Sequence, residues 1–99
     1  MIRNDATPAL TLHPDDDVAV ALRDLAAGMN LSVRRGGAEL HVLLRDPIPL
    51  GHKFALAPLA PRQPIRKYGQ VIGEATAHID AGAHVHVHNL ASRRGRRVR

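Results

Sequence analysis

Leu25-Ala26-Ala27-Gly28-Met29-Asn30-Leu31 sets two apolar residues around a pair of small residues, a glycine and two further residues. The spacing returns in Ile48-Pro49-Leu50-Gly51-His52-Lys53-Phe54 and in Ile79-Asp80-Ala81-Gly82-Ala83-His84-Val85. Leu59-Ala60-Pro61-Arg62-Gln63-Pro64-Ile65 keeps it with Arg62 in the glycine place. Glycine is favoured where the backbone turns with positive φ, so each stretch predicts a tight turn that delivers the chain into another strand. The starts, at 25, 48, 59 and 79, are unevenly spaced. That irregularity argues against a solenoid, whose units recur at a fixed period, and for a compact domain of short strands bending at their turns.

Outward from these turns, Gly36-Gly37 between Leu31-Ser32-Val33 and Leu40-His41-Val42-Leu43-Leu44 signals a hairpin. Ala9-Leu10-Thr11-Leu12-His13 alternates in strand fashion before Pro14, and Asp15-Asp16-Asp17 offers carboxylates at a helix start. From Val18 to Leu25 the apolar positions fit either a short helix, near 16–26, or a buried strand, and the pattern leaves both open. The sum is an all-β domain of about six or seven short strands. It is expected over residues 9–91, with residues 1–8 fraying and 92–99 forming a disordered Arg-rich tail.

Composition narrows the function. With 99 residues, 44% hydrophobic, one Phe, one Tyr and no Trp, the core must be aliphatic and modest, which makes docking or self-association plausible. The absence of Cys excludes disulfides, cysteine-ligated zinc or iron–sulfur centres and a thiol nucleophile. No apolar signal region or run of about 18 apolar residues occurs, so the expected compartment is the cytoplasm. The formal net charge of +5 sits in the tail, where Arg93–Arg99 carries five Arg; nine basic and nine acidic residues remain in positions 1–92. A neutral body and a tail without aromatic side chains rank nucleic-acid binding last.

Seven His occur, three of them in Ala83-His84-Val85-His86-Val87-His88-Asn89. Alternation in a strand places His84, His86 and His88 on one face and Val85 and Val87 in the core. Neighbouring His are then about 6.6 Å apart along the backbone and the outer two about 13 Å, so one adjacent pair can converge on a metal but not all three. His86 and His88 are the expected pair, with His84 exposed at the turn after Gly82. Gly51-His52-Lys53 and Lys67-Tyr68-Gly69 add imidazole, ammonium and phenol groups at turns, suited to gripping a carboxylate or moving a proton. His13, His41 and His78 are isolated and read as surface or rim positions.

Three ordered motifs then carry a resemblance: Ile48-Pro49-Leu50-Gly51-His52-Lys53-Phe54-Ala55-Leu56, Ile65-Arg66-Lys67-Tyr68-Gly69-Gln70-Val71-Ile72-Gly73, and Val85-His86-Val87-His88-Asn89-Leu90. They resemble the SAF-type (antifreeze-like, β-clip) domain of altronate and galactarate dehydratases, which is also similar to the small subunit of sulfolactate sulfo-lyase. The likeness runs from about His13 to Leu90; Arg62 and the Arg-rich extension depart from it. It implies a β-clip fold and a non-autonomous small subunit of a sugar-acid hydro-lyase whose large subunit completes the active site. It further implies a divalent metal, Fe²⁺ or alternatively Mn²⁺, shared with that subunit. Carried onto the matching positions, His52, Lys67 and Tyr68 are expected to be catalytic, Lys53, Gly69 and Asn89 to bind substrate, and His86 and His88 to hold metal. A second reading is a stand-alone module that binds a metal or small acid without catalysis.

Overall fold

A computed structural model describes residues 8–92. Nine short strands form among them: β1 (Ala9–Leu10), β2 (Val18–Ala21), β3 (Asn30–Arg35), β4 (Ala38–Leu43), β5 (Lys53–Ala55), β6 (Pro64–Lys67), β7 (Gln70–Ala75), β8 (His84–Val85) and β9 (Leu90–Ala91). All pairings are antiparallel. β1-β2-β5-β8 make one sheet, β3-β4 a hairpin, and β6-β7-β9 a third sheet. No helix occurs among the described residues, so the open choice over 16–26 resolves to strand. Of the tail expected over 92–99, residues 93–99 lie outside the described residues, as do residues 1–7. Pro8, at the end of the segment expected to fray, accepts the Leu22 N–H at 2.9 Å.

The four turns fall into two reciprocal pairs. Gly28 N–H donates to the Leu44 carbonyl while Leu44 N–H donates to that of Met29, and Gly51 N–H donates to Ala21 while Ala21 N–H donates to His52. Arg62 with Ala75 and Gly82 with Ala55 repeat the arrangement, Ala75 returning its N–H to Gln63 and Ala55 to Ala83. Between the members of each pair the leading apolar residues bridge, Leu25 to Ile48 and Leu59 to Ile79. Each turn residue has positive φ: Gly28 89°, Gly51 83°, Arg62 69° and Gly82 84°. The uneven starts now have a cause: a hairpin is inserted within each pair, β3-β4 in the first and β6-β7 in the second, and only β5 separates the pairs.

Each pair closes its own aliphatic core. Leu25, Leu31, Val33, Val42, Leu44, Ile48 and Phe54 fill the first; Val18, Leu59, Ile65, Ala75, Ile79 and Val85 fill the second. Successive strand residues point to opposite faces, so β2 sends Val18 to the second core and Ala19 and Ala21 to the first. β5 does the same with Ala55 and Phe54. Burial on both faces is why Val18-Ala19-Val20-Ala21 reads as a continuous apolar run rather than an alternating one.

The loop before β2 ties both hairpin tips together. Gly36 lies against Pro14, and Gly69 against the His13 ring. Asp15-Asp16-Asp17 does not start a helix. Its carboxylates reach across the fold instead, Asp16 Oδ1 accepting the Gly69 N–H and Asp17 Oδ2 the Arg66 N–H.

Candidate metal and substrate site

The turn Pro49–His52 and the turn Asp80–Ala83 feed β5 and β8, which pair through Lys53 with Val85 and Phe54 with His84. This register brings the glycine–histidine–lysine bend to the same end of the molecule as the terminal histidines. His52 Nδ1 lies 2.9 Å from His84 Nε2. The rings of His52, His84 and His86 stack, with centroids 5.1 Å apart for His52–His84, 4.2 Å for His52–His86 and 5.3 Å for His84–His86.

The expected strand across His84–His88 is not formed in full, because β8 ends at Val85. Asn89 and Leu90 donate their N–H groups back to the His86 carbonyl, so the chain curls into one tight turn. The Asn89 side chain fixes that turn: Oδ1 accepts the His86 N–H at 2.9 Å, and Nδ2 donates to the His84 carbonyl at 2.9 Å. Val87 is consequently 84% exposed, not part of the core as the alternating pattern predicts. His86 nevertheless stays over His52, the residue it would face if the β5–β8 register ran one pair further.

The positions expected for function therefore divide. His52, His84 and His86 each offer a ring nitrogen within 4.8 Å of the others. His84, expected at the exposed turn, is half-buried within this trio, and its N–H donates to Asp46 Oδ2. His88 is exposed at the rim, its ring 5.5 Å from that of His84 and tilted to it. Lys53 is half-buried beside the trio, and its ammonium is held below the ordinary lysine range by burial and then by the Lys67 charge. Lys67 Nζ stands 4.9 Å from the centroid of the Tyr68 ring. Gly69 and Asn89 are already engaged: the Gly69 N–H is given to Asp16, and both ends of the Asn89 amide hold backbone. Their placement suits positioning of neighbours better than direct substrate contact. His13 packs against Gly69, His78 Nε2 lies 2.9 Å from Asp80 Oδ1 on the surface, and His41 is exposed on β4.

Electrostatically, His84 and His86 resist taking protons. His84 is held below the ordinary histidine range by partial burial and then by the neighbouring His52, His86 and His88, with Asp46 opposing. His86 is lowered by desolvation, then by His52, Lys53 and His88. Neutral imidazoles are the form that binds a cation. Three nitrogen donors fit a divalent first-row ion in type and number, with the remaining positions filled from outside the chain.

Two functional-site residues escaped the sequence reading. Asp46 has no motif around it, and its bond to His84 spans the two turn pairs. Asp16 was hidden among three consecutive Asp in the loop before β2, where its carboxylate accepts the Gly69 N–H beneath the Lys67–Tyr68 turn.

An all-β clip of paired turns, with imidazole and ammonium groups gathered at one end, defines the class. The chain belongs to the altronate/galactarate dehydratase SAF domain family, whose model matches residues 7–93. It is 48% identical over 80 residues to altronate dehydratase of Escherichia coli, covering 81% of this chain and 15% of that protein. Its identity to altronate dehydratase of Bacillus subtilis is 40% over 80 residues, again 15% of that protein. Against (2R)-sulfolactate sulfo-lyase subunit alpha of Chromohalobacter salexigens it is 36% identical over 87 residues, 84% of this chain and 93% of that subunit. The chain thus spans a small fraction of the altronate dehydratases and nearly all of a separate small subunit. No helix among the described residues is long and apolar enough to cross a membrane.

Proposed function

We propose that this chain is the small, non-autonomous part of a cytoplasmic sugar-acid hydro-lyase, whose active site is completed by a large dehydratase subunit. The observation that carries this reading is the convergence of His52, His84 and His86 with Lys53 in one open cluster. The near-complete match to a named small subunit supports a two-part assembly.

Dehydration of a 2,3-dihydroxy acid removes the proton next to the carboxylate and expels the neighbouring hydroxyl as water. The enol that remains tautomerises to a 2-keto-3-deoxy acid. Lys53 and Lys67 hold the substrate carboxylate, whose charge otherwise opposes loss of that proton. Tyr68 is the group left to move a proton, His52, expected to be catalytic, serving instead in the imidazole trio. His52, His84 and His86 would hold a divalent metal, Fe²⁺ or Mn²⁺, with His88 at its rim. When bound, such an ion supplies positive charge against the developing enolate and assists the departing hydroxyl.

Co-expression with a large dehydratase subunit tests the reading. The chain alone is expected to be inactive on altronate and galactarate, the complex active, and His52→Ala or His86→Ala in the complex at least 100-fold slower. Full turnover by the isolated chain would overturn it.

The three closely placed nitrogens also favour a second reading, a binding module that captures a metal without catalysis. Stoichiometric Fe²⁺, Mn²⁺ or Zn²⁺ binding by the lone chain, lost in the His52→Ala/His86→Ala variant, together with failure to associate with any dehydratase subunit, would favour the module.

A further inference from the structure

The turn that presents Lys67 and Tyr68 is anchored from beneath by a residue with no role in the chemistry above. Tyr68 has φ 55° and Gly69 φ 79°, the doubly left-handed connection of a two-residue hairpin. Glycine, Asn or Asp suits the first of these positions; an aromatic side chain there is strained. The corresponding tip of the first half uses Gly36-Gly37 and avoids that strain. Strained backbone of this kind persists only where its surroundings over-determine it.

What over-determines it is Asp16. This carboxylate is 0% exposed. Its Oδ1 accepts the Gly69 N–H at 2.8 Å, and its Oδ2 lies 3.4 Å from the Leu12 N–H. Arg35 bonds the Asp16 backbone carbonyl, not its side chain. The His13 ring closes the other side, since a Cβ on Gly69 would come within 2.7 Å of His13 Cδ2. A buried carboxylate without a charged partner is costly, and hydrogen bonds to backbone amides are what offset that cost.

The geometry points to Asp16 as a positioning residue that, by gripping the Gly69 N–H, holds the strained Tyr68 turn and with it the direction in which Lys67 and Tyr68 are presented. The catalytic half of this inference rests on the function proposed above; the structural half does not. Tyr68 is the only tyrosine and the chain has no tryptophan, so the long-wavelength part of its near-UV circular dichroism, beyond the Phe54 bands, reports this turn.

The full chain is compared with Asp16→Ala and Asp16→Asn. In Asp16→Ala the Gly69 amide is expected to exchange at least tenfold faster with solvent and the Tyr68 dichroism to fall by half or more, while the amide resonances of His84–Leu90 stay in place. Asp16→Asn, which keeps one acceptor oxygen, is expected to fall between, and it carries the same comparison if the alanine variant does not fold. In the complex with a large dehydratase subunit, Lys67→Ala is expected to raise KM at least tenfold in the native background but less than twofold in Asp16→Ala, because the grip is already lost. Unchanged Gly69 exchange in both Asp16 variants overturns the inference, as does a Lys67→Ala effect of equal size in both backgrounds. If Lys67→Ala leaves the native complex unaffected, the catalytic half falls with the functional reading, and Gly69 exchange still decides whether Asp16 holds the turn.

Discussion

The first turn pair, Leu25 with Ile48, and the second, Leu59 with Ile79, share one hydrogen-bond scheme and differ in what the scheme is made to hold. Glycine occupies both left-handed turn positions of the first pair, and its hairpin tip is Gly36-Gly37. Both described non-glycine residues with positive φ, Arg62 and Tyr68, belong to the second. Backbone bonds and aliphatic packing build the frame equally on both sides. Conformational strain gathers on the side that presents Lys67 and Tyr68, as it does where a side chain is worth an unfavourable backbone.

Gly82 offers the hardest test of the shared frame, since a Cβ there would collide with the Leu43 carbonyl, whereas Gly28 has nothing within 4 Å. Gly82→Val should cost about 4 kcal/mol from overpacking and left-handed strain together, and Gly28→Ala only about 1 kcal/mol. Equal losses in urea titrations would remove the collision from the account. The two bridges should be near equivalents. Ile48→Ala and Ile79→Ala, both in buried sites, are each expected to lose roughly 2–5 kcal/mol and to agree within about 1 kcal/mol. A wide gap would mean that one core carries the domain.

Smaller effects sharpen the contrast. Arg62→Gly should stabilise by about 1 kcal/mol, read as a rise in Tm, because it relieves a left-handed φ of 69°. No rise would show that the Arg62 side chain makes up for its backbone. The pH effect is confined to the site. His84 and His86 bind protons less readily folded than unfolded, so in the metal-free chain their contribution is complete above the ordinary value of 6.5 and is lost as pH falls below it. Urea midpoints should therefore drop between pH 7 and pH 5, and drop less in His84→Gln/His86→Gln. An equal drop in that variant would assign the effect elsewhere.

Much of the frame could be read from the chain because its turns need glycine and its cores need aliphatic residues at fixed offsets. Four turns, the Gly36-Gly37 hairpin and the meeting of His52 with the terminal histidines were all accessible in this way. Alternation failed at Val87, where the side-chain amide of Asn89 bends the chain out of the strand and exposes a valine. It also did not select the imidazole trio, since the facing of His86 and His52 follows from the β5–β8 register, which no local pattern records. Asp16 and Asp46 were beyond reach for a related reason: their partners, Gly69 and His84, lie 53 and 38 residues away, and nothing local marks the bond.

The central strands have a last consequence. Because β2 and β5 give alternate side chains to the two cores, neither core can be opened without removing the wall of the other. Two separate clusters of aliphatic residues should accordingly melt as one cooperative unit, with a single calorimetric transition whose enthalpy equals the van't Hoff value. Damage to either side then reaches the histidines, for His52 leads into the partition strand β5 and His84 lies on β8, which pairs with it.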